Sequence, residues 1–117
     1  MMQPMEIRVR DGGQLMSIAF SLDEMYQLSA ELLRVESPSA EVKGHAGDEK
    51  KIVAGKKGVK IKALEPVGHY ALKIVFDDGH ATGIYTWEYL QELGENKDQV
   101  WATYLQKLEE KNLKREH

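Results

Sequence analysis

The chain has 117 residues, a formal net charge of −3 at pH 7 and no cysteine. Its length suits one domain over 1–117, with a core at about 5–110. Without cysteine it cannot form disulfides, thiolate nucleophiles or cysteine-ligated zinc and iron–sulfur sites. The charge disfavours nucleic acid as a partner, and no apolar run reaches the roughly 18–20 residues of a membrane span. Since the first residues also lack a signal-peptide pattern, we expect a cytoplasmic protein.

Strands with a following short helix are predicted in the first third of the chain. The segment MEIRVR alternates apolar and charged side chains, as a half-buried strand does. The turn signal DGG follows it, and two more apolar segments come next. The three predicted strands lie at 5–10, 15–20 and 25–28. Ser29 is predicted to cap a helix over 30–34, because its hydroxyl can accept a backbone N–H.

Residues 36–58 interrupt this regular pattern. Glycine and proline recur through the segment, at Pro38, Gly44, Gly47, Gly55 and Gly58. Only Ile52, Val53 and Val42 favour burial. The composition predicts a long irregular excursion with one short extended piece, in which 44–58 is the most mobile internal stretch.

Three further strands and a capped helix are predicted next. The strands lie at 59–64, 69–76 and 81–85. Asp78 and Gly79 supply the turn between the last two strands, since both tolerate positive φ. Thr86 is predicted to cap a helix over 87–93, which Gly94 would end at its C′ position.

The last predicted element is a helix from about Lys97 to Lys114. Its apolar residues recur at the helical period, at Val100, Trp101, Tyr104, Leu105 and Leu108. Beyond Leu108 the pattern thins, so we expect the tail to fray. The elements together predict an α+β fold: a mainly antiparallel β-sheet with short helices and a packed C-terminal helix.

His80 is the first candidate for chemistry. It follows Asp-Asp-Gly at the predicted hairpin tip, where Asp77 or Asp78 could fix its tautomer. A ligand or proton-shuttle role and a surface turn histidine bonded to its own backbone both remain open. His45 and His69 do not stand at the spacing of a zinc helix.

A lysine-rich strip is the second candidate. Lys50, Lys51, Lys56 and Lys57 could contact an acidic partner surface, or they could be a solvated face. No arginine or aromatic residue interleaves them, so readout of nucleic-acid bases is not expected. AGKKG lacks the spacing and hydroxyl of a phosphate loop, and the sequence around Ser37 and Ser39 lacks a nucleophile-elbow pattern.

Two segments carry a family resemblance. LLRVESPSAEVKGH at 32–45 and EPVGHYALKIVFDDGHATGIYTWEYLQELG at 65–94 resemble the family named for the N-terminal domain of gamma-butyrobetaine hydroxylase. The resemblance covers about 5–110 and implies a free-standing α+β domain without the catalytic iron, which in the hydroxylases lies in a separate domain. Other relatives join this domain to P-loop ATPases of the iron–sulfur carrier type.

The resemblance also bears on a metal. In the hydroxylases the domain holds a structural zinc through three cysteines and one histidine. The cysteine positions fall on Ser37, Ser39 and Val42 here, and the histidine position falls on His80. Three of the four ligands are therefore missing, so we expect no cofactor. If zinc or iron does bind, His80 is the one ligand of the family's site that this chain retains.

Three functions follow as hypotheses. The first is a non-catalytic interaction or adaptor module with a protein partner, linked to iron or iron–sulfur metabolism by the resemblance alone. The second is weak metal binding by His80 with His45, Glu36 or Glu41. The third, an enzyme acting on a small substrate, has the least support, because the sequence offers no nucleophile–base pair.

Overall fold

The computed structural model describes residues 3–43 and 50–116, and it shows two antiparallel three-stranded sheets with four α-helices. The first sheet has the order β1-β2-β3, and the second has the order β4-β5-β6. The strands are β1 Glu6–Arg10, β2 Leu15–Ser21, β3 Glu24–Ser29, β4 Ile61–Val67, β5 Ala71–Phe76 and β6 Ile84–Thr86. The helices are α1 Ala30–Val35, α2 Ala40–Lys43, α3 Trp87–Glu95 and α4 Lys97–Glu110. The predicted α+β class is confirmed.

The two sheets and two of the helices share one apolar core. Met16 and Ile18 of the first sheet and Ile74 and Phe76 of the second are each at most 1% exposed. Leu32 and Leu33 of α1 and Leu90 and Leu93 of α3 join the same cluster. A smaller cluster of Val35, Tyr104 and Leu108 holds α4 in place. Trp101 packs against both clusters, as expected for a residue of the apolar stripe.

Local signals placed both predicted N-caps correctly. The Ser29 hydroxyl accepts the N–H of Leu32, and the Thr86 hydroxyl accepts the N–H of Tyr89. Each side chain thereby satisfies one of the backbone donors that the first turn of a helix leaves unpaired.

The segment Phe76–Leu90 attaches the second sheet to α1. The Tyr85 hydroxyl donates to the Leu33 carbonyl, and the Tyr89 hydroxyl donates to the Glu36 carbonyl. Burial raises the pKa of Tyr85 and that of Tyr89, so both phenols remain protonated donors. The carbonyls at the end of α1, which no helical N–H can reach, thus find partners in a distant part of the chain.

The expected long excursion is only partly irregular. A short helix, α2, occupies Ala40–Lys43 and was missed in the sequence. Residues 44–49 of the predicted mobile stretch lie outside the described residues. Ile52, Val53 and Ala54 pack on the smaller cluster, and the Tyr104 hydroxyl donates to the Val53 carbonyl. Residues 52–54 of the excursion are therefore anchored to α4.

The expected fraying of the tail is wrong for residues 111–116. Helix α4 ends at Glu110, and the chain returns so that the N–H of Gly55 donates to the Lys114 carbonyl. Arg115 makes two hydrogen bonds to the buried Glu31 carboxylate, at 2.8 and 2.9 Å, and its guanidinium lies over Trp101. A bidentate pair of this kind orders a chain end that would otherwise be solvated.

Gly94 does not end its helix, contrary to the prediction. It lies inside α3, which continues to Glu95. A Cβ at this position would stand 2.3 Å from Cγ of Tyr26 on β3. The glycine is needed because the ring of Tyr26 occupies the space of a side chain. Close approach of a strand, rather than a C-cap, explains the residue.

Gly94→Ala should therefore destabilise the fold, by about 1–3 kcal/mol from overpacking. In an uncrowded helix the same substitution would instead stabilise by up to about 1 kcal/mol. Urea unfolding of the variant measures the sign directly. Gly58→Ala is the control, since a Cβ there meets nothing within 4 Å. An unchanged or increased stability of Gly94→Ala would show that Tyr26 moves aside without cost.

Candidate functional site

His80 lies beneath the surface, so the alternative that it is a surface turn histidine is wrong. Its residue surface is 7% exposed. The turn holds its backbone: the His80 N–H donates to Oδ1 of Asp78, and the His80 carbonyl accepts from the N–H of Phe76. The turn thus sets the direction in which the imidazole points, which is into the protein.

Two side chains from the segment after α1 bind the imidazole. Oγ of Ser37 lies 2.9 Å from Nε2, and Oε2 of Glu41 lies 3.0 Å from Nδ1. An ionised carboxylate only accepts hydrogen bonds, so we assign the proton to Nδ1 and let the Ser37 hydroxyl donate to Nε2. Both nitrogens of a neutral ring are then satisfied.

The neutral form is also favoured electrostatically. Burial lowers the pKa of His80 below its usual 6.5, and the positive charge of Arg34 adds to this. The carboxylates of Glu41 and Asp78 work in the opposite direction without reversing it. At neutral pH the imidazole is therefore uncharged.

Further hydroxyls extend these contacts into a closed network, which we call the serine–histidine cluster (Ser37, Ser39, Glu41, His80 and Thr82). Oγ of Ser39 lies 2.7 Å from Oγ1 of Thr82, which donates to Glu41 at 3.0 Å. The N–H of Ser39 donates to Oγ of Ser37, and the N–H of Glu41 donates to Oγ of Ser39. The cluster joins residues 37–41 to residues 80–82 through hydrogen bonds.

A glycine permits this approach. A Cβ on Gly83 would stand 2.4 Å from Oγ of Ser37. Any larger residue would push the second segment away from the first. The glycine before the strand β6 is thus part of the cluster's construction, although it contributes no polar side chain.

The order Ser37, His80, Glu41 resembles the triad of a serine hydrolase, but the exposures are reversed. A triad presents its serine to the substrate and buries its carboxylate. Here Ser37 is 0% exposed, whereas the side chain of Glu41 is 63% exposed. The backbone N–H of Ser39 also donates to Oγ of Ser37. The arrangement has the hydrogen bonds of a triad without an accessible nucleophile.

The cluster does not fit zinc. The structure brings together Ser37, Ser39 and His80, three of the four positions that hold the metal in the hydroxylases, but the two hydroxyls are committed to hydrogen bonds and Val42 offers no donor atom. In the parts of the chain that the structure describes, no group of three histidine, aspartate or glutamate side chains could hold a metal ion.

The other ligands considered for a metal are dispersed. Glu36 is paired with Lys50 rather than with His80. His45 lies outside the described residues. Only Glu41 reaches His80, through a hydrogen bond to Nδ1. Within the described residues, the geometry therefore supplies two adjacent donor groups, His80 and Glu41.

Several side chains of the lysine strip are already paired with carboxylates of the protein itself. Lys50 bonds to Glu36, and Lys56 bonds to Oδ2 of Asp78 at 2.7 Å. Burial acts to raise the pKa of Asp78, but hydrogen bonds from Lys56, the His80 N–H and Arg34 lower it to about 2. Lys57 stands 3.6 Å from Glu116, and both side chains are more than half exposed. Part of the strip therefore holds the fold together.

A groove between α4 and the segment that begins at Lys50 is a second candidate site, and the sequence did not reveal it. This α4 groove has a volume of about 650 Å³. Ile52, Val100 and Tyr104 provide apolar surface, and Gln99 and Thr103 add neutral polar groups. Its charged residues are Lys50, Lys107, Lys111, Glu36 and Glu110. Lysines outnumber glutamates here, although the chain as a whole is acidic.

The neutral state of His80 should make the fold sensitive to acid. Its folded pKa lies below 6.5, so the unfolded chain binds more protons below that pH, and stability falls as the pH drops through about 6.5. We expect His80 to contribute a slope of up to about 1.4 kcal/mol per pH unit in urea unfolding. His80→Gln should lose that part of the slope, and His69→Gln should keep it. Equal slopes for wild type and His80→Gln would contradict the assignment.

Metal removal should leave the protein unchanged. Removing a ligand lowers stability only where the native state bound it. The thermal midpoint should therefore be the same with and without EDTA, and added zinc should not raise it. Stabilisation that grows with zinc concentration, and that His80→Gln abolishes, would show a metal site that the described geometry does not support.

Along the described parts of the chain, no helix is long and apolar enough to cross a membrane. No curated protein matches the chain. Two proteins with NMR solution structures are similar to it, at 43% identity with a TM-score of 0.86 and at 41% identity with a TM-score of 0.83. These alignments cover 99% and 98% of this chain, and 91% and 86% of the other chains.

A crystal structure from Acidithiobacillus ferrooxidans is also similar, at 41% identity and a TM-score of 0.66. It covers 80% of this chain and 93% of that chain, which is described as a protein of unknown function in the DUF971 family. The sequence model of the family described as gamma-butyrobetaine hydroxylase-like, N-terminal, matches residues 7–91. Since that match includes most of the chain, the protein belongs to the gamma-butyrobetaine hydroxylase-like N-terminal domain family.

Proposed function

We propose that this chain is a non-catalytic, cytoplasmic interaction module whose α4 groove binds an acidic, amphipathic segment of a partner protein. The α4 groove is the observation that carries the proposal. It combines apolar surface with basic side chains, and binding sites for protein segments typically pair apolar contacts with a polar, charged rim.

The basic side chains of the groove indicate that the partner segment is acidic. Lys107 lies in the last turn of α4 and Lys111 is the residue that follows the helix, and both side chains line the groove. The side chain of Lys107 is half exposed, and its contact with Glu110 is long, at 4.0 Å. Such an exposed pair is worth little, so Lys107 can exchange Glu110 for a carboxylate of a partner at small cost.

The apolar surface argues that the ligand is more than a small anion. Val100 and Tyr104 lie one turn apart, and Ile52 faces them from the neighbouring segment. The 14 residues of α4 extend over about 21 Å, enough for several turns of a helical peptide or a few residues of an extended one. An amphipathic segment would cover the apolar surface and place its carboxylates near the lysines.

The catalytic and metal-binding alternatives have less support. Ser37 is buried, so a hydrolase mechanism would need a rearrangement before any substrate could reach it. His80 and Glu41 are too few ligands for a tight metal site. The link to iron or iron–sulfur proteins rests on the resemblance alone, and it enters the proposal only as the class of partner to look for first.

The test is affinity capture from native cells with three baits. The wild type is compared with Lys107→Glu/Lys111→Glu and with the control Lys60→Glu/Lys62→Glu, which makes the same charge change at two exposed positions, one just before β4 and one within it. We expect at least one protein to be recovered by the wild type and the control but lost with the groove variant. An acidic peptide from that protein should then bind the wild type with an affinity that falls at high salt.

The three baits should have the same thermal unfolding midpoint. A protein that the groove variant fails to capture is then lost because the groove surface has changed and not because the bait has unfolded. If every protein captured by the wild type is captured equally by the groove variant, the α4 groove is not the binding site. Enrichment of iron or iron–sulfur proteins among the partners that need the groove would support the link to iron metabolism. If none of those partners is an iron or iron–sulfur protein, the link is wrong.

A further inference from the structure

The outer edge of β1 differs from the other sheet edges in the described structure. Helices α1 and α3 pack against β3 at the opposite edge of the same sheet. In the second sheet, β4 carries Pro66 and a register shift near Ile61, and β6 has three residues only. Helical cover, proline, bulges, shortness and charged side chains are the usual protection of an edge, and β1 carries the charged side chains of Glu6, Arg8 and Arg10. Strand β1 pairs with β2 in an unbroken register over five residues.

The edge of β1 is also open to solvent. Four of its five residues are exposed, and only Ile7 is partly buried. Just before the strand, Met5 is 61% exposed, although its N–H still bonds to the Ala19 carbonyl. Val9 is 41% exposed. The ladder of backbone groups on the outer side of β1 thus has room for another strand.

We propose that a second copy of this chain occupies that edge, through antiparallel pairing of β1 with β1 about a two-fold axis at Ile7. In this register Ile7 faces its own symmetry mate, Met5 faces Val9, and Glu6 faces Arg8. The two three-stranded sheets would become one six-stranded sheet. The inference does not rest on the proposed function, because β1 and the α4 groove share no residue.

The apolar face of β1 fits this arrangement. Ile7 pairs with Ile18 and Val9 pairs with Met16 on β2, and both partners are buried. Directly opposed residues project from the same face of a sheet. Ile7 and Val9 therefore lie on the core side of the sheet, and pairing would continue the core across the axis while covering Met5 and Val9.

The charges on the other face specify the register. Glu6 and Arg8 now bond to each other at 3.1 Å, with side chains 56% and 59% exposed. With the axis at Ile7, each Glu6 stands opposite an Arg8 of the other copy, and opposite charges across a strand pair stabilise it. An axis at Arg8 would place like charges opposite each other. The opposite signs of Glu6 and Arg8 make this part of the strand complementary to itself.

The dimer should be weak. A ladder of about five residues covers much less than the roughly 1,600 Å² of a typical specific interface. Sedimentation equilibrium should therefore show wild-type association that rises with concentration between about 10 µM and about 1 mM. A wild type that stays monomeric over this range overturns the proposal.

Charge reversal tests the register. Glu6→Arg and Arg8→Glu should each weaken association about tenfold or more, because like charges would face each other twice. The double swap Glu6→Arg/Arg8→Glu restores opposite signs at both positions and should restore association. An equimolar mixture of the two single variants should associate better than either alone. Both side chains are more than half exposed, so the fold should tolerate all three changes.

A cysteine scan provides a second readout in this cysteine-free chain. Ile7→Cys places two thiols opposite each other at a distance that a disulfide can span. In the single variant Val9→Cys, each thiol would face Met5 of the other copy instead of the second thiol. Under mild oxidation Ile7→Cys should cross-link to a dimer faster than Val9→Cys. Equal cross-linking of the two variants, or equal association of all charge variants, would show that β1 does not pair in this register.

Discussion

The unpaired carbonyls at the end of α1 are the constraint on which the arrangement depends. A helix leaves its last carbonyls without intrahelical partners, and burial makes that costly unless other donors arrive. Here the donors are Tyr85 and Tyr89, both from the segment that follows β5. The phenols dock the second sheet and α3 on α1, and that docking brings His80 within reach of Ser37. The serine–histidine cluster is a consequence of this contact.

The sequence was most informative where the signal is local. Ser29 and Thr86 cap their helices through backbone groups three residues away, so a short pattern contains the whole interaction. The tail shows the opposite case. Its order comes from Arg115 and Glu31, which are 84 residues apart. Gly94 was misread because a glycine at a helix end and a glycine under an aromatic ring look identical in a sequence.

For the candidate sites too, local patterns were informative and contacts between distant segments were not. The family resemblance identified Ser37, Ser39 and His80 as related positions, and the structure brings them together. The resemblance could not show that His80 is buried, because a turn motif contains no information about the segment that covers the histidine. Ser37 is 43 residues away. The α4 groove escaped prediction for a similar reason: it exists only where Ile52 faces Val100 and Tyr104 across two segments.

The cluster differs from a structural metal site in what it can contribute to stability. A structural zinc site supplies about 10–16 kcal/mol in small domains and can determine whether they fold at all. A hydrogen bond contributes about 0.5–1.5 kcal/mol net, because folding only exchanges it for bonds to water. The apolar core must therefore stabilise this fold, and the cluster instead selects one register between the segment after α1 and the turn at His80. That selection comes from the cost of leaving a buried Ser37 or His80 unpaired, which penalises every other arrangement of the two segments.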